Sequence, residues 1–209
     1  MTDPHTTDTT DTTDTTDTTG AEDVGAGVGV GVRKGFVLPR DCEVTIVPAG
    51  HRTVLPKGER VTLLQALGGT ATVTTRAGEM ARLSRDDSID FGFIEGRRTP
   101  EVSSDAPFSI DRVWEAATTV YDPEIPVDIV ELGLVYRVEA EPVDGGWRVE
   151  VDMSVTAPFC GMGDILRQDL HDAVAAIPGV VDVEVKLVFD PPWDASRLSD
   201  VARLELGMM

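Results

Sequence analysis

The residue of this sequence best placed to do chemistry is a cysteine followed closely by two glycines. It stands in Thr156-Ala157-Pro158-Phe159-Cys160-Gly161-Met162-Gly163, where an alternating segment passes into one with helical spacing. At a strand-to-helix junction the free backbone N–H groups and the positive end of the helix dipole favour an anion. A thiol there is drawn toward thiolate, the form that binds metal. Gly161 and Gly163 let the main chain fold closely around the sulfur, or around a sulfide or other ligand beside it. A buried cysteine acting as a small hydrophobe at a tight turn is the competing reading. The other of the two cysteines, Cys42, lies within an alternating run and reads as core filler.

The second run with chemical content is Tyr121-Asp122-Pro123-Glu124-Ile125-Pro126-Val127-Asp128-Ile129-Val130-Glu131-Leu132-Gly133-Leu134. Its two X-Pro steps favour an extended, stiff connection, because a residue before proline is pushed out of the α region. That predicts Asp122, Glu124, Asp128 and Glu131 displayed on a loop. Iron prefers thiolate to carboxylate, yet an aspartate can complete an iron site or steer a cation. Alternatively, Asp122 ends a helix and the others are solvated. The histidines supply no catalytic base. His171 sits about two turns into a helix starting near Gly163, which places it more than roughly 12 Å from Cys160 and beyond the reach of a nucleophile–base pair. His51 lies in a turn of another module and could approach only through docking, and His5 is near the N-terminus. No catalytic residue is assigned, and the reading is of a protein that is not an enzyme.

These residues need elements to position them. Ser109 is placed to cap a helix carrying Ile110, Val113, Trp114, Ala117, Val120 and Tyr121 on one face, ending at Asp122-Pro123. Leu134–Glu139 reads as a strand and Asp144-Gly145 as a hairpin turn. Trp147, Val149, Val151, Met153 and Val155 then alternate with polar residues as a second strand. Leu166, Leu170, Ala173, Val174 and Ile177 form an amphipathic helix stopped by Pro178-Gly179, and Val181–Phe189 alternates as a third strand. A short helix over 198–206 closes at Gly207. The order αββαβα predicts an α+β fold with helices on a small mixed sheet over 108–209. Before it, residues 36–94 alternate with period two between turn signals such as Pro56-Lys57-Gly58-Glu59 and Arg76-Ala77-Gly78-Glu79, which predicts a small all-β module. Residues 95–107 read as a linker. The Thr-Thr-Asp repeats and the glycine-rich stretch of 1–35 cannot repay their ordering entropy and read as a disordered tail.

Composition removes several function classes. The formal net charge of -19 disfavours nucleic acid, whose phosphates are tracked by lysine and arginine. No apolar run approaches the roughly 20 residues that cross a bilayer. The threonine-rich, acidic start lacks the basic and apolar regions of a secretory signal. With only two cysteines the free thiols fit a reducing cytoplasm. Gly25, Gly27, Gly29 and Gly31 match neither a dinucleotide loop nor a P-loop.

The C-terminal module resembles the iron–sulfur assembly factor domain shared by SufT, the phenylacetate-pathway protein PaaD and eukaryotic cytosolic targeting factors. Asp122-Pro123-Glu124-Ile125-Pro126, Asp128, Glu131-Leu132-Gly133-Leu134-Val135-Tyr136, Thr156-Ala157-Pro158-Phe159-Cys160-Gly161-Met162 and Asp190-Pro191-Pro192-Trp193 carry the resemblance across about half of the chain. The preceding β module and the closing Leu204-Glu205-Leu206-Gly207-Met208 are similar to SufT in particular. The cysteine-rich C-terminal extension of PaaD-like proteins is missing, and so is the P-loop of fused ATPase carriers. The resemblance implies an accessory factor in iron–sulfur protein maturation. Cys160 would be its reactive cysteine and metal ligand, and Asp128, Asp122, Glu124, Thr156 and Gly161 would complete the cofactor-binding set. The cofactor would be iron or an iron–sulfur cluster, held transiently. The partners would be Suf assembly proteins and client apoproteins, with a homodimer as one way to share a cluster. The alternative is a metal-free adaptor bridging clients and the Suf machinery.

Overall fold

A computed structural model describes residues 35–95, 107–157 and 160–208. The tail expected over 1–35 lies outside the described residues except for Gly35, and so does nearly all of the expected linker. The first sheet is antiparallel. It runs from β1 (Gly35–Val37) through β2 (Cys42–Val47), β3 (Arg52–Leu55), β4 (Arg60–Leu67) and β5 (Thr70–Thr74) to β6 (Met80–Leu83), in the spatial order β1-β4-β5-β6-β2-β3. The period-two pattern produces it: Cys42, Val44 and Ile46 turn into the core while Glu43 is exposed. Val61, Ala71, Val73, Ala81 and Leu83 complete that core from the other strands. The turns at Gly58 and Gly78 take positive φ, as their glycines allow.

One element of this module was not anticipated. A short helix, α1 (Arg85–Asp90), follows β6, with the Ser84 hydroxyl accepting the Asp87 N–H at 3.1 Å. Ser84 and Asp87 stand at capping-box spacing, a signal that was present but outweighed by the alternation before it.

The C-terminal module has the predicted order: α2 (Ile110–Ala117), β7 (Val135–Val143), β8 (Gly146–Met153), α3 (Gly163–Ala175), β9 (Val180–Leu187) and α4 (Asp200–Glu205). β7 and β8 pair antiparallel, and β8 and β9 pair parallel, so the sheet is mixed. A parallel pair needs a crossover, and α3 supplies it. Val149, Val151 and Met153 point into a core completed by Val113 and Ala117 of α2 and Leu166, Leu170 and Val174 of α3. α2 stops at Ala117, short of the periodicity, and Val120 is buried from the loop that follows. Ser109 occupies the N-cap position of α2 but its side chain makes no cap bond. The short helix expected over 198–206 is α4, which the Ser199 hydroxyl starts by accepting the Ala202 N–H at 3.0 Å, and an unanticipated 3-10 turn at Ala195–Arg197 precedes it.

Candidate functional site

Both cysteines are free, but their settings differ. Cys42 is fully buried in the β core, and burial together with the neighbouring Asp87 carboxylate pushes its thiol up to about 12. It stays protonated and inert at neutral pH. Cys160 is partly exposed, in a bend between β8 and α3. Its N–H donates to the Ala157 carbonyl at 3.2 Å and its own carbonyl accepts the Gly163 N–H at 3.1 Å. Met162, which is 1% exposed, anchors the bend, and its carbonyl accepts from Ile165 and Leu166 to start α3. No side chain caps this helix. Thr156 is half-buried where the chain leaves β8.

The loop after α2 turns two of its four carboxylates, Asp122 and Asp128, inward instead of displaying them. It doubles back on itself through a bridge between Tyr121 and Asp128 and through the Asp122 N–H, which donates to Val127. Asp122 and Asp128 are only 7% and 8% exposed. Asp122 Oδ1 accepts the N–H groups of Glu124 and Ile125 at 2.8 and 3.0 Å, and Asp128 Oδ1 accepts those of Val130 and Glu131 at 2.9 and 3.0 Å. Turn N–H groups that find no carbonyl need an acceptor, and an aspartate two residues back supplies one. Burial raises both carboxyls above the ordinary aspartate range despite those bonds. Glu124 is exposed, and its carboxyl is also raised, by desolvation and then by the charge of Asp122. Glu131 is bonded to the Ser199 hydroxyl, while the Ser199 N–H donates to the Glu131 carbonyl at 3.0 Å. Trp193 Nε1 donates to the Leu132 carbonyl at 2.8 Å, and the Arg197 guanidinium lies 3.6 Å from the centre of the Tyr136 ring. The C-terminal segment is thus strapped to the turn that Asp128 organises.

The β module reaches these same segments. At the turn between β2 and β3, Gly50 (φ 73°) lies so close to Gly161 that a Cβ on it would overlap the Gly161 carbonyl, and a Cβ on Gly161 would overlap the carbonyl of Ala49. Between β4 and β5, a Cβ on Gly68 would come within 2.9 Å of the Thr119 carbonyl and 3.3 Å of Tyr121. Gln65 Nε2 donates to the Asp122 carbonyl at 2.8 Å. Arg82, whose side chain is 10% exposed, is ion-paired with Asp169 of α3, and its Nε donates to the Thr70 hydroxyl at 3.2 Å. The Arg82 charge also opposes the burial that raises the carboxyls of Asp122 and Asp169. Sequence reasoning missed Gly50, Gln65, Gly68, Arg82 and Asp169. Arg82 alternates with buried neighbours in β6 and reads as a solvent-facing residue, so no local signal could have found its partner. Among the described residues, no three His, Cys, Asp or Glu side chains come together as a group that could hold a metal ion.

Residues 110–187 match the model of a family described as iron–sulfur cluster assembly protein. A protein of Porphyromonas gingivalis named as an Fe-S protein maturation auxiliary factor is 42% identical over 91 residues, which are 44% of this chain and 84% of that one. The Fe-S protein maturation auxiliary factor SufT of Staphylococcus aureus is 40% identical over 89 residues, which are 43% of this chain and 98% of its own length. The Staphylococcus protein therefore has no room for a second module. A crystal structure of a domain of unknown function from Bacillus anthracis overlaps 47% of this chain and 92% of its own, at 33% identity and a TM-score of 0.43.

Proposed function

Because the chain belongs to the iron–sulfur cluster assembly protein family, we propose that it holds iron or an iron–sulfur cluster transiently on Cys160 and passes it to client apoproteins. The observation that carries this reading is the contrast between its two thiols. Cys42 is sealed in a core and its thiol is pushed up to about 12, whereas Cys160 is partly exposed at the mouth of a helix with no capping side chain. A cluster usually takes four ligands, mostly thiolates. This chain offers one accessible thiol, so the remaining ligands come from a second copy, the client or a small thiol. Such incomplete ownership favours release. An incoming client thiol gives up its proton as it takes the position on iron, and the Cys160 thiolate departs and can take up a proton in turn.

Thr156, where the chain leaves β8, and Gly161, directly after the cysteine, are the proposed companions of the sulfur. Glu124 is the exposed carboxylate of the loop after α2. The turns use Oδ1 of Asp122 and Asp128, leaving Oδ2 of each as the atom that could face the cargo. The clients and the Suf assembly proteins are the proposed partners, and a reducing cytoplasm is the compartment in which a free Cys160 would persist. No helix of the described residues is long and apolar enough to cross a membrane.

Anaerobic incubation of the full chain with iron and sulfide, followed by optical and electron paramagnetic resonance spectra, tests the reading. The native chain is expected to give a cluster or iron signal that Cys160→Ala loses. Equal signals from both proteins would remove Cys160 from the mechanism. Binding by neither would leave the metal-free adaptor, which then predicts that Cys160→Ala still supports client maturation.

A further inference from the structure

Among the described residues, the β module meets the C-terminal module at the cysteine loop, at the loop after α2 and on α3. The turn at Ala49-Gly50 lies on Gly161, one residue from the thiol, with main chain against main chain. Gly68 lies on Thr119 and Tyr121, Gln65 holds the Asp122 carbonyl, and Arg82 pairs with Asp169 on α3, the helix that the cysteine loop begins. The joint includes glycine contacts, an amide hydrogen bond and an ion pair. The two hydrophobic cores share no residue. Joints between units that keep separate cores are the kind across which domains move, whereas a shared apolar core would weld them. The short relative from Staphylococcus aureus has no room for this module.

We propose that the β module is a folded cover docked on the cysteine loop, and that its lifting as a unit sets how fast Cys160 becomes available to a partner thiol. This rests on Cys160 being the working thiol. In the docked state the Ala49-Gly50 turn fixes the backbone beside Cys160 and blocks approach from that side. Undocking breaks the Arg82–Asp169 pair and the Gln65–Asp122 bond and frees Gly161, while the β core and its Cys42 stay intact. A client that competes for the Gly161 and Asp122 surfaces would therefore expose the thiol as it binds, coupling release of cargo to arrival of its acceptor.

The two cysteines report the two events separately. Single-thiol versions of the full chain, Cys42→Ala to read Cys160 and Cys160→Ala to read Cys42, are labelled with iodoacetamide at pH 7. Each is tested with no further change, with Arg82→Gln and with Gly50→Ala. Arg82→Gln removes the charge facing Asp169, and Gly50→Ala drives a methyl group into the Gly161 carbonyl by an independent route. Cys160 is expected to react about tenfold faster in both variants, equivalent to about 1.4 kcal/mol in the docking equilibrium, while Cys42 stays protected. An unchanged Cys160 rate in both variants would overturn the proposal. So would equal acceleration of both thiols, since the module would then be unfolding rather than lifting. No metal is used, so a failed reconstitution of iron leaves this result readable, and a failure here leaves the carrier reading standing.

Discussion

Asp128 separates an acceptor from a charge. Its Oδ1 accepts two backbone N–H groups at 2.9 and 3.0 Å from a position only 8% exposed. Asp128→Ala strands both donors. A buried donor without a partner costs about 1–3 kcal/mol, but Val130 and Glu131 are themselves only half-buried, so water can reach them and the low end applies. The variant is also relieved of burying a carboxylate whose pKa is raised by desolvation. The net loss is then about 1–2 kcal/mol, a fall in Tm of roughly 2–8 °C for a chain of this size. Asp128→Asn keeps an oxygen in the same place and is expected to melt within about 0.5 kcal/mol of the native protein. Thermal melts followed by circular dichroism at pH 7 check both. An Asn variant that falls as far as the Ala variant would refute the reasoning, because the charge and not the acceptor would be holding the turn. With the fold preserved, the Asn variant's iron spectrum then shows whether Oδ2 matters to the cargo.

Two further outcomes follow from the same geometry. Asp122, Asp128 and Asp169 have folded pKa values raised above the ordinary 3.8, so the folded state binds their protons more tightly than the unfolded state and each costs stability as pH rises through that window. Asp122→Asn cannot ionise. Its Tm advantage over the native chain should grow as pH rises above 3.8 and level off beyond the folded pKa, and a difference that stays constant with pH would show that Asp122 is not perturbed. Trp193→Phe removes the donor to the Leu132 carbonyl and should lower stability by about 1 kcal/mol, or roughly 2–4 °C. An unchanged melt would mean that the C-terminal strap does not depend on that bond.

Where burial is decided within one element, the sequence was informative. The strict alternation from Trp147 to Val155 located β8 and its buried face, and the spacing of Leu166, Leu170 and Val174 located α3, which begins at Gly163 as expected. The mixed sheet was legible because a strand, a helix and a further strand in succession imply a parallel crossover. Contacts between modules were not legible. Arg82 and Asp169 each sit on what reads as the wet face of its own element, and nothing local says that the two faces meet. Gly50 and Gly161 read as turn residues, and their lack of a side chain serves a second purpose, visible only once the two turns lie against each other. The proline-bearing loop was misjudged for a different reason. Extended φ values at X-Pro steps say nothing about where a chain turns next, and the N–H groups of the turn drew Asp122 and Asp128 inward.

The residues that carry the family resemblance therefore divide by what their polar atoms are already bonded to. Asp122, Asp128, Glu131 and Trp193 all hold backbone or side-chain groups of their own module, so replacing any of them perturbs the fold before it perturbs a cargo. The Cys160 sulfur has no hydrogen-bond partner among the described residues, and the bend that presents it is held by backbone bonds and by Met162. Loss of iron binding in an aspartate variant is evidence about the site only when its melt is native. Loss in Cys160→Ala needs a lighter control, since removing one sulfur from a partly exposed bend leaves those backbone bonds in place. The chemistry can thus be dissected from the outside in, with the thiol first and the aspartates read only through variants, such as Asn, that keep their turns closed.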